Sequence, residues 1–148
     1  MLKDALISQG SLAAILCSSY PLNEARYSWL NRKLVLYFDD TVNERCDRCF
    51  SDEQAKQIMT FWKKLDDTEQ LYVCCDSGES RSTAIAAALY RSLVMDEMAI
   101  WENPHFHPNT LVYKRLCVAL GVPSTENEIA EKKRINYNAL ARVIRSTR

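Results

Sequence analysis

The chain has no excess of either charge and no long apolar segment. Its 148 residues include nineteen basic and nineteen acidic residues, so the formal net charge is zero. A balanced charge gives the whole chain no general attraction to nucleic acid or to a membrane surface. Apolar runs in the sequence are too short to cross a bilayer. We therefore expect neither a nucleic-acid partner nor a membrane association.

Signals for secretion and for a second domain are also missing. The segment Met1 to Asp4 carries an acid and is not followed by a continuous apolar core, so we expect no signal peptide. Composition does not change along the chain, and its length suits one domain with a sizeable core. Six cysteines without a secretory signal favour free thiols in a reducing compartment. These features predict a single domain over residues 1–148 in the cytoplasm.

Apolar patterning predicts an alternation of strands and helices. Apolar runs predict buried strands at residues 11–18, 33–38 and 71–75. Helical spacing predicts helices at residues 51–65, 82–93, 110–120 and from 125 onward, while residues 23–32 form either a short helix or a loop. Capping-box spacing supports two of the helix starts, at Ser51 with Gln54 and at Thr125 with Glu128. The order predicts an α/β fold with a small, mainly parallel sheet flanked by helices.

A loop with distinctive chemistry follows the third predicted strand. Residues 75–82 read Cys-Asp-Ser-Gly-Glu-Ser-Arg-Ser and lead directly into a helix. A loop that enters a helix N-terminus presents backbone N–H groups and a positive dipole end, which bind an oxyanion and stabilise a thiolate. Gly78 permits a tight bend, and Arg81 adds a planar fork that can hold two phosphate oxygens. The loop therefore predicts a nucleophile, Cys75, beside a phosphate-binding cradle.

Two carboxylates follow the second predicted strand. Asp39 and Asp40 come directly after it, and the helix at 51–65 is the crossover that makes the second and third strands parallel. In open parallel sheets, ligands bind beyond the carboxyl ends of the strands. The carboxylates and the Cys75 thiol are thus expected at one edge of the sheet.

The residues of the loop resemble a known enzyme family. Residues 75–82 match the C-x2-G-x2-R-[ST] signature of the cysteine-dependent phosphatases, in particular the dual-specificity and bacterial tyrosine-phosphatase-like branch. Phe38-Asp39-Asp40-Thr41 is similar to the family's general-acid segment, and the resemblance covers roughly residues 33–95. It implies a phosphatase-like three-layer architecture and hydrolysis of phosphate monoesters in phosphoprotein or phosphopeptide substrates, without a metal or organic cofactor.

The resemblance also implies a role for each residue of the site. The Cys75 thiolate attacks phosphorus to form a phosphocysteine, and Arg81 stabilises the transition state. Asp40, in preference to Asp39, protonates the leaving oxygen, and Ser82 donates a hydrogen bond to the sulfur. The residues expected to surround the phosphate are Asp76, Ser77, Gly78, Glu79, Ser80 and Arg81.

Some neighbours of Cys75 leave a second function open. Cys74 stands where the family usually has histidine. Asp76 and Glu79 place two carboxylates in an anion-binding loop, where they either point outward at little cost or point inward and repel phosphate. The alternative is a phosphate-binding interaction module that has lost turnover. RNA 5′-phosphates and phosphoinositides also stay open as substrates, although the neutral charge does not support them.

A further alternative is a thiol redox or zinc protein. Cys46 and Cys49 have C-x2-C spacing, but a zinc site needs two more ligands, for which His105 and His107 are the candidates. Histidines in a proline-bordered loop are more often simply exposed, so we expect no metal. By resemblance, residues 105–109 are instead expected to approach the active site.

Overall fold

The sheet consists of parallel strands that join in the order β2-β1-β3. A computed structural model describes residues 11–147, and the expectation for Met1 to Asp4 lies outside these residues. The strands are β1 (Leu12–Ser18), β2 (Arg32–Tyr37) and β3 (Gln70–Cys74). All of the predicted strands are confirmed, with ends that shift by one residue. Because β3 ends at Cys74, Cys75 belongs to the loop that follows.

The central strand is the one with the most continuous apolar sequence. All seven residues of β1 are buried, since this strand is hydrogen-bonded on both edges and covered on both faces. β1 separates β2 from β3, so the acid segment and the thiol loop follow the two outer strands. All strands run in one direction, and their carboxyl ends meet at the same edge of the sheet.

The four predicted helices are present with small shifts at their ends, and the short helix at Met98–Trp101 was not predicted. The helices are α1 (Asp52–Lys63), α2 (Arg81–Ser92), α3 (Met98–Trp101), α4 (Thr110–Ala119) and α5 (Glu126–Ser146), with a 3-10 turn at Glu24–Tyr27. The first capping box is confirmed, because Ser51 and Gln54 exchange hydrogen bonds of 3.0 and 3.1 Å. α4 ends before Gly121, whose positive φ of 76° suits glycine. Within residues 11–147, no helix is long and apolar enough to cross a bilayer.

The side chains of β1 alternate between two apolar layers. Ile15 and Cys17 belong to the main core, which packs against α1, α2 and α4. Leu12, Ala14 and Leu16 face the other side and pack against the connection that contains the 3-10 turn. The result is a small three-layer α/β fold in which the helices cover one face of the sheet and the β1–β2 connection covers the other.

A buried polar cluster attaches α5 to the rest of the fold. The Tyr113 hydroxyl donates a hydrogen bond of 2.8 Å to Glu97, and Lys132 Nζ lies 3.0 Å from the same carboxylate oxygen. Asn136 donates hydrogen bonds to the carbonyls of Trp101 and Phe106, at 3.0 and 2.8 Å. These contacts hold α5 beside the segment between α3 and α4, and that segment borders the loop of Cys75.

Candidate active site

The loop between β3 and α2 wraps around the Cys75 sulfur. Gly78 adopts a positive φ of 73°, which is accessible to glycine at little steric cost and turns the chain back toward Cys75. The N–H groups of Gly78, Ser80 and Ser82 are directed at the sulfur, and Cys75 Sγ lies 3.2 Å from Ser82 Oγ. The loop therefore curves around the thiol, with backbone N–H groups facing the sulfur.

Two opposing effects act on the pKa of Cys75. Partial burial of the thiol raises the pKa, because burial disfavours the thiolate. The Ser82 hydroxyl and the N–H groups of Ser82, Ser80 and Gly78 stabilise the thiolate, and together they outweigh burial. The net pKa of Cys75 lies below that of an ordinary cysteine. Such a lowered pKa increases the fraction of thiolate, which is the nucleophilic form.

Arg81 is held rigidly at the start of α2. Arg81 is only 4% exposed, and its Nη1 donates hydrogen bonds to the Phe38 carbonyl at 2.7 Å and to Ser19 Oγ at 2.9 Å. The guanidinium also lies over the Phe38 ring, 5.8 Å from its centroid. Arg81 Nε is buried and has no hydrogen-bond partner within residues 11–147. The Nε–H of Arg81 is therefore a buried donor that no described residue satisfies.

Asp76 points toward Arg81. Its carboxylate accepts hydrogen bonds from Arg81 Nη2 at 2.8 Å, from Ser18 Oγ at 2.7 Å and from the Ser19 N–H at 3.0 Å. Burial raises the pKa of Asp76, but the Ser19 N–H, the Ser18 hydroxyl and Arg81 outweigh it, so the net pKa is lowered. Asp76 thus binds the end of β1 and the arginine instead of lining the loop as a free charge.

The remaining loop residues occupy the outer side of the cradle. Ser77 and Glu79 are exposed, and the Glu79 N–H donates to Ser77 Oγ at 3.3 Å. The Glu79 carbonyl accepts a hydrogen bond of 2.8 Å from the His107 N–H. Of the two carboxylates whose direction was open, the structure therefore pairs Asp76 with Arg81 and leaves Glu79 exposed to solvent.

The structure brings Asp40 to the loop, whereas Asp39 pairs elsewhere. Asp40 Oδ1 accepts hydrogen bonds of 2.8 Å from both Ser80 Oγ and Asn109 Nδ2. Asp39 instead lies beside Arg48, with 3.3 Å between Asp39 Oδ1 and Arg48 Nη2. Asp40 is therefore the aspartate in a position to act with the Cys75 loop.

Asn109 is a site residue that the sequence did not single out. It is 4% exposed, its Oδ1 accepts the N–H groups of Leu111 and Val112, and its Nδ2 donates to Asp40. The Asn109 N–H also donates to the Ser80 carbonyl at 3.2 Å. An asparagine before a helix indicates an N-cap, which accounts for the hydrogen bonds that its Oδ1 accepts. The same signal does not reveal the contact between its Nδ2 and Asp40. The expected approach of residues 105–109 to the loop is confirmed.

Cys17 and Cys74 line a pocket beside Cys75, whereas Cys46 and Cys49 lie in a separate turn. Cys74 packs on the second face of the sheet, where burial and the neighbouring Cys75 raise its pKa. Cys46 and Cys49 share a turn, in which the Cys49 N–H donates to the Cys46 carbonyl at 3.1 Å. No group of three or more His, Cys, Asp or Glu side chains within residues 11–147 is arranged to hold a metal ion. The zinc hypothesis therefore has no donor set in this part of the chain.

Two cavities adjoin the loop. A cleft of about 430 Å³ begins at Asp40 and Ser80 and extends between the start of α4 and the middle of α5. A smaller pocket of about 230 Å³ opens beside Cys75 and Asp76. A ligand bound at the cradle has room to extend on the side of Asp40.

Comparisons of the chain with protein-family models, with curated proteins and with solved structures found no match. The assignment of a function consequently rests on the loop signature and on the geometry of the site. Cys75, Ser82, Arg81 and Asp40 converge at one edge of the sheet, which is the arrangement expected for nucleophilic attack assisted by an acid.

Proposed function

We propose that this chain is a cysteine-dependent phosphatase that hydrolyses phosphate monoesters, with phosphotyrosine or a mixed set of phosphoproteins as substrate. The observation that carries the proposal is the convergence of the Ser82 hydroxyl and three loop N–H groups on Cys75 Sγ, with Asp40 held against the same loop by Ser80. A thiolate with a lowered pKa, an anion cradle and a carboxylic acid are the groups that this reaction needs.

In the first step, the Cys75 thiolate attacks phosphorus and the bond from phosphorus to the leaving oxygen breaks. Asp40 transfers its proton to that oxygen, so the leaving group departs as a neutral alcohol or phenol. The loop N–H groups and the Arg81 guanidinium stabilise the charge on the phosphoryl oxygens in the transition state. A phosphocysteine and the Asp40 carboxylate remain.

In the second step, a water molecule attacks phosphorus and the phosphorus–sulfur bond breaks. The Asp40 carboxylate takes a proton from the water, and inorganic phosphate leaves. The Ser82 hydroxyl, 3.2 Å from Cys75 Sγ, stabilises the thiolate as it departs. This step restores both the thiolate and the protonated acid, and neither step requires a metal or an organic cofactor.

One observation favours a second candidate function, a phosphate-binding interaction module without turnover. Asp76 already occupies Arg81 Nη2 at 2.8 Å, so a bound phosphate shares the guanidinium with a carboxylate. Repulsion between the two anions weakens phosphate binding and can slow the chemical step. In both functions the ligand is a phosphorylated protein or peptide, and the free thiols of all six cysteines favour a cytoplasmic location.

Replacement of the nucleophile separates the two functions. We expect Cys75→Ser to lower aryl-phosphate hydrolysis by about a thousandfold or more, since the serine hydroxyl is a far weaker nucleophile at neutral pH. Cys74→Ser is the matched control, because it changes the adjacent thiol and should retain the activity. Rapid quenching of the unmutated protein with labelled substrate should trap a phosphocysteine.

Two results decide against the phosphatase. Unchanged hydrolysis in Cys75→Ser rules out the proposed nucleophile. Phosphopeptide binding by the unmutated protein without any hydrolysis, and retained in Cys75→Ser, identifies the interaction module instead.

A further inference from the structure

The cleft beside Asp40 is a second part of the same site, and the inference drawn from it rests on the proposed function. We call it the acid cleft and define it by six of its lining residues: Asp40, Ser80, Trp101, Asn109, Lys133 and Tyr137. It meets the Cys75 loop at Ser80, whose hydroxyl donates to Asp40 and whose N–H is directed at the Cys75 sulfur. The cleft therefore starts at the acid and leads away from the nucleophile.

The chemistry of the reaction places part of the substrate on this side. An acid that protonates the leaving oxygen must lie within hydrogen-bond reach of that oxygen. The organic part of the substrate is attached there, so it leaves the cradle in the direction of Asp40. The first space that it meets in that direction is the acid cleft, of about 430 Å³, which is within the range of small-ligand sites.

Apolar and aromatic groups form much of the cleft wall. Trp101 is 1% exposed, whereas Tyr137 is 71% exposed on the outer side of α5. Leu140 and Val42 add apolar surface. These features suit a peptide segment that carries apolar surface.

Lys133 gives the cleft a free positive charge. The side chains on either side of it in sequence are paired, Lys132 with Glu97 and Arg134 with Glu131. Lys133 is exposed, lines the cleft, and forms no ion pair within residues 11–147. Lys133 therefore provides the cleft with a positive charge that no carboxylate within residues 11–147 pairs with.

We infer that the acid cleft is a specificity subsite that binds an acidic side chain flanking the phosphorylated residue of a peptide substrate, with Lys133 as its partner. An exposed ion pair of this kind changes affinity by about twofold to fivefold. The preferred substrates are therefore phosphopeptides with an acidic residue near the phosphorylated one.

The test uses the full chain and matched phosphotyrosine peptides. One series carries a single glutamate moved through each flanking position in turn, and control peptides carry glutamine or lysine there. We expect glutamate in at least one position to raise kcat/KM about twofold to fivefold over glutamine. Lys133→Glu should abolish that gain and make the lysine peptide the better substrate. Hydrolysis of a small aryl phosphate is measured in each variant, so that any general effect on the Cys75 loop can be divided out of the peptide rates.

Lys56→Glu is the matched control, because it makes the same charge change at an exposed position on α1 that does not line the cleft. Equal effects of Lys56→Glu and Lys133→Glu would show that the net charge of the protein, and not a local contact, sets the preference, and would overturn the subsite. An unchanged glutamate preference in Lys133→Glu also overturns it. So does a Lys133-dependent preference for phosphoinositide vesicles or for RNA 5′-phosphates over every peptide, since it assigns the cleft to another ligand.

Failure of the proposed function can be told apart from failure of the subsite. If the unmutated protein hydrolyses no aryl phosphate, the phosphatase proposal fails, and calorimetry on Cys75→Ser with the same peptides still measures the subsite. A glutamate-dependent gain in affinity that Lys133→Glu removes then supports the subsite in a binding module. If glutamate raises the affinity equally in Cys75→Ser and in the double variant that also carries Lys133→Glu, the subsite is overturned.

Discussion

The Ser80 hydroxyl donates a hydrogen bond of 2.8 Å to Asp40 Oδ1. The N–H of the same residue is directed at the Cys75 sulfur. One loop residue therefore connects the proposed nucleophile with the proposed acid, and Asn109 fixes the acid from its other side with a second bond of 2.8 Å. Since two separate segments hold Asp40, a change at Ser80 or at Asn109 should affect the acid without removing the thiol.

Replacement of Asp40 should reveal the acid. We expect Asp40→Asn to lower kcat on a phosphotyrosine peptide by about a hundredfold or more, because asparagine cannot protonate the leaving oxygen. Aryl phosphates with very acidic phenols need less protonation, so their loss should be smaller. A steeper dependence of kcat on the phenol pKa is the measurement. Asp39→Asn, which removes the partner of Arg48 instead, should stay near the unmutated rate, and a loss equal to that of Asp40→Asn would contradict this assignment.

Asn109 should separate capping from positioning. Asn109→Asp keeps an oxygen for the N–H groups of Leu111 and Val112 but replaces the donor to Asp40 with an acceptor. We expect it to keep the cap and lose turnover, and repulsion of the new carboxylate by Asp40 and by the Thr41 carbonyl should lower the Tm. Asn109→Ala should lose both the cap and turnover, with a cap loss of about 0.5–2 kcal/mol in the free energy of unfolding.

The control for this pair is Thr125→Ala, which removes the N-cap of α5 far from Asp40 along the chain. It should lower stability and leave kcat unchanged. Full activity in a well-folded Asn109→Asp would show that the contact with Asp40 does not matter for turnover.

Asp76 should set how strongly phosphate stabilises the protein. In Asp76→Asn the amide oxygen can still accept a hydrogen bond from Arg81, but the buried guanidinium loses the negative charge beside it. We expect a lower Tm without phosphate and a larger rise in Tm when phosphate is added, because the anion then replaces the missing charge. Thermal unfolding against phosphate concentration measures both effects. Glu79→Gln changes an exposed carboxylate of the same loop and should change neither.

Acid pH provides an independent check on Asp76. Because its folded pKa is lowered, its contribution to stability is fully present above the ordinary aspartate pKa of about 4 and is lost as pH falls through the folded value. The Tm of the unmutated protein should therefore decline over this acid range, and the decline should be shallower in Asp76→Asn. Parallel curves would show that the contact is absent in solution.

The Cys75 thiol should lose its proton at a lower pH than an ordinary cysteine. Its lowered pKa predicts that alkylation by iodoacetamide reaches half its maximum rate at a lower pH than for an ordinary cysteine. Ser82→Ala should move that midpoint upward, because it removes a hydrogen bond to the thiolate. Mass spectrometry can assign the label, and burial, which raises the pKa of Cys117 to about 11, should leave that residue unmodified. Ser77→Ala is the control, because it changes an exposed serine of the same loop and should not move the midpoint. An unmoved midpoint in Ser82→Ala would show that the Ser82 hydroxyl does not stabilise the thiolate.

Much of the fold could be predicted because its signals are local. Short apolar runs predicted all three strands, and the capping box at Ser51 and Gln54 predicted the start of α1. The Cys75 loop could be found in the same way, since a strand, a glycine with positive φ and a helix N-terminus follow one another directly. In each case the interacting groups lie within a few residues, so the pattern along the chain contains the whole interaction.

By itself, then, the sequence determined the strands, the capped helices and a loop that places a thiol beside an arginine. Only the tertiary structure decided that Asp40 and not Asp39 contacts this loop, that Asp76 pairs with Arg81, and that Asn109 donates a hydrogen bond to Asp40. The reason is physical, because these choices depend on side chains that meet through folding. Asn109 and Asp40 are 69 positions apart, and no local pattern encodes a hydrogen bond over that separation.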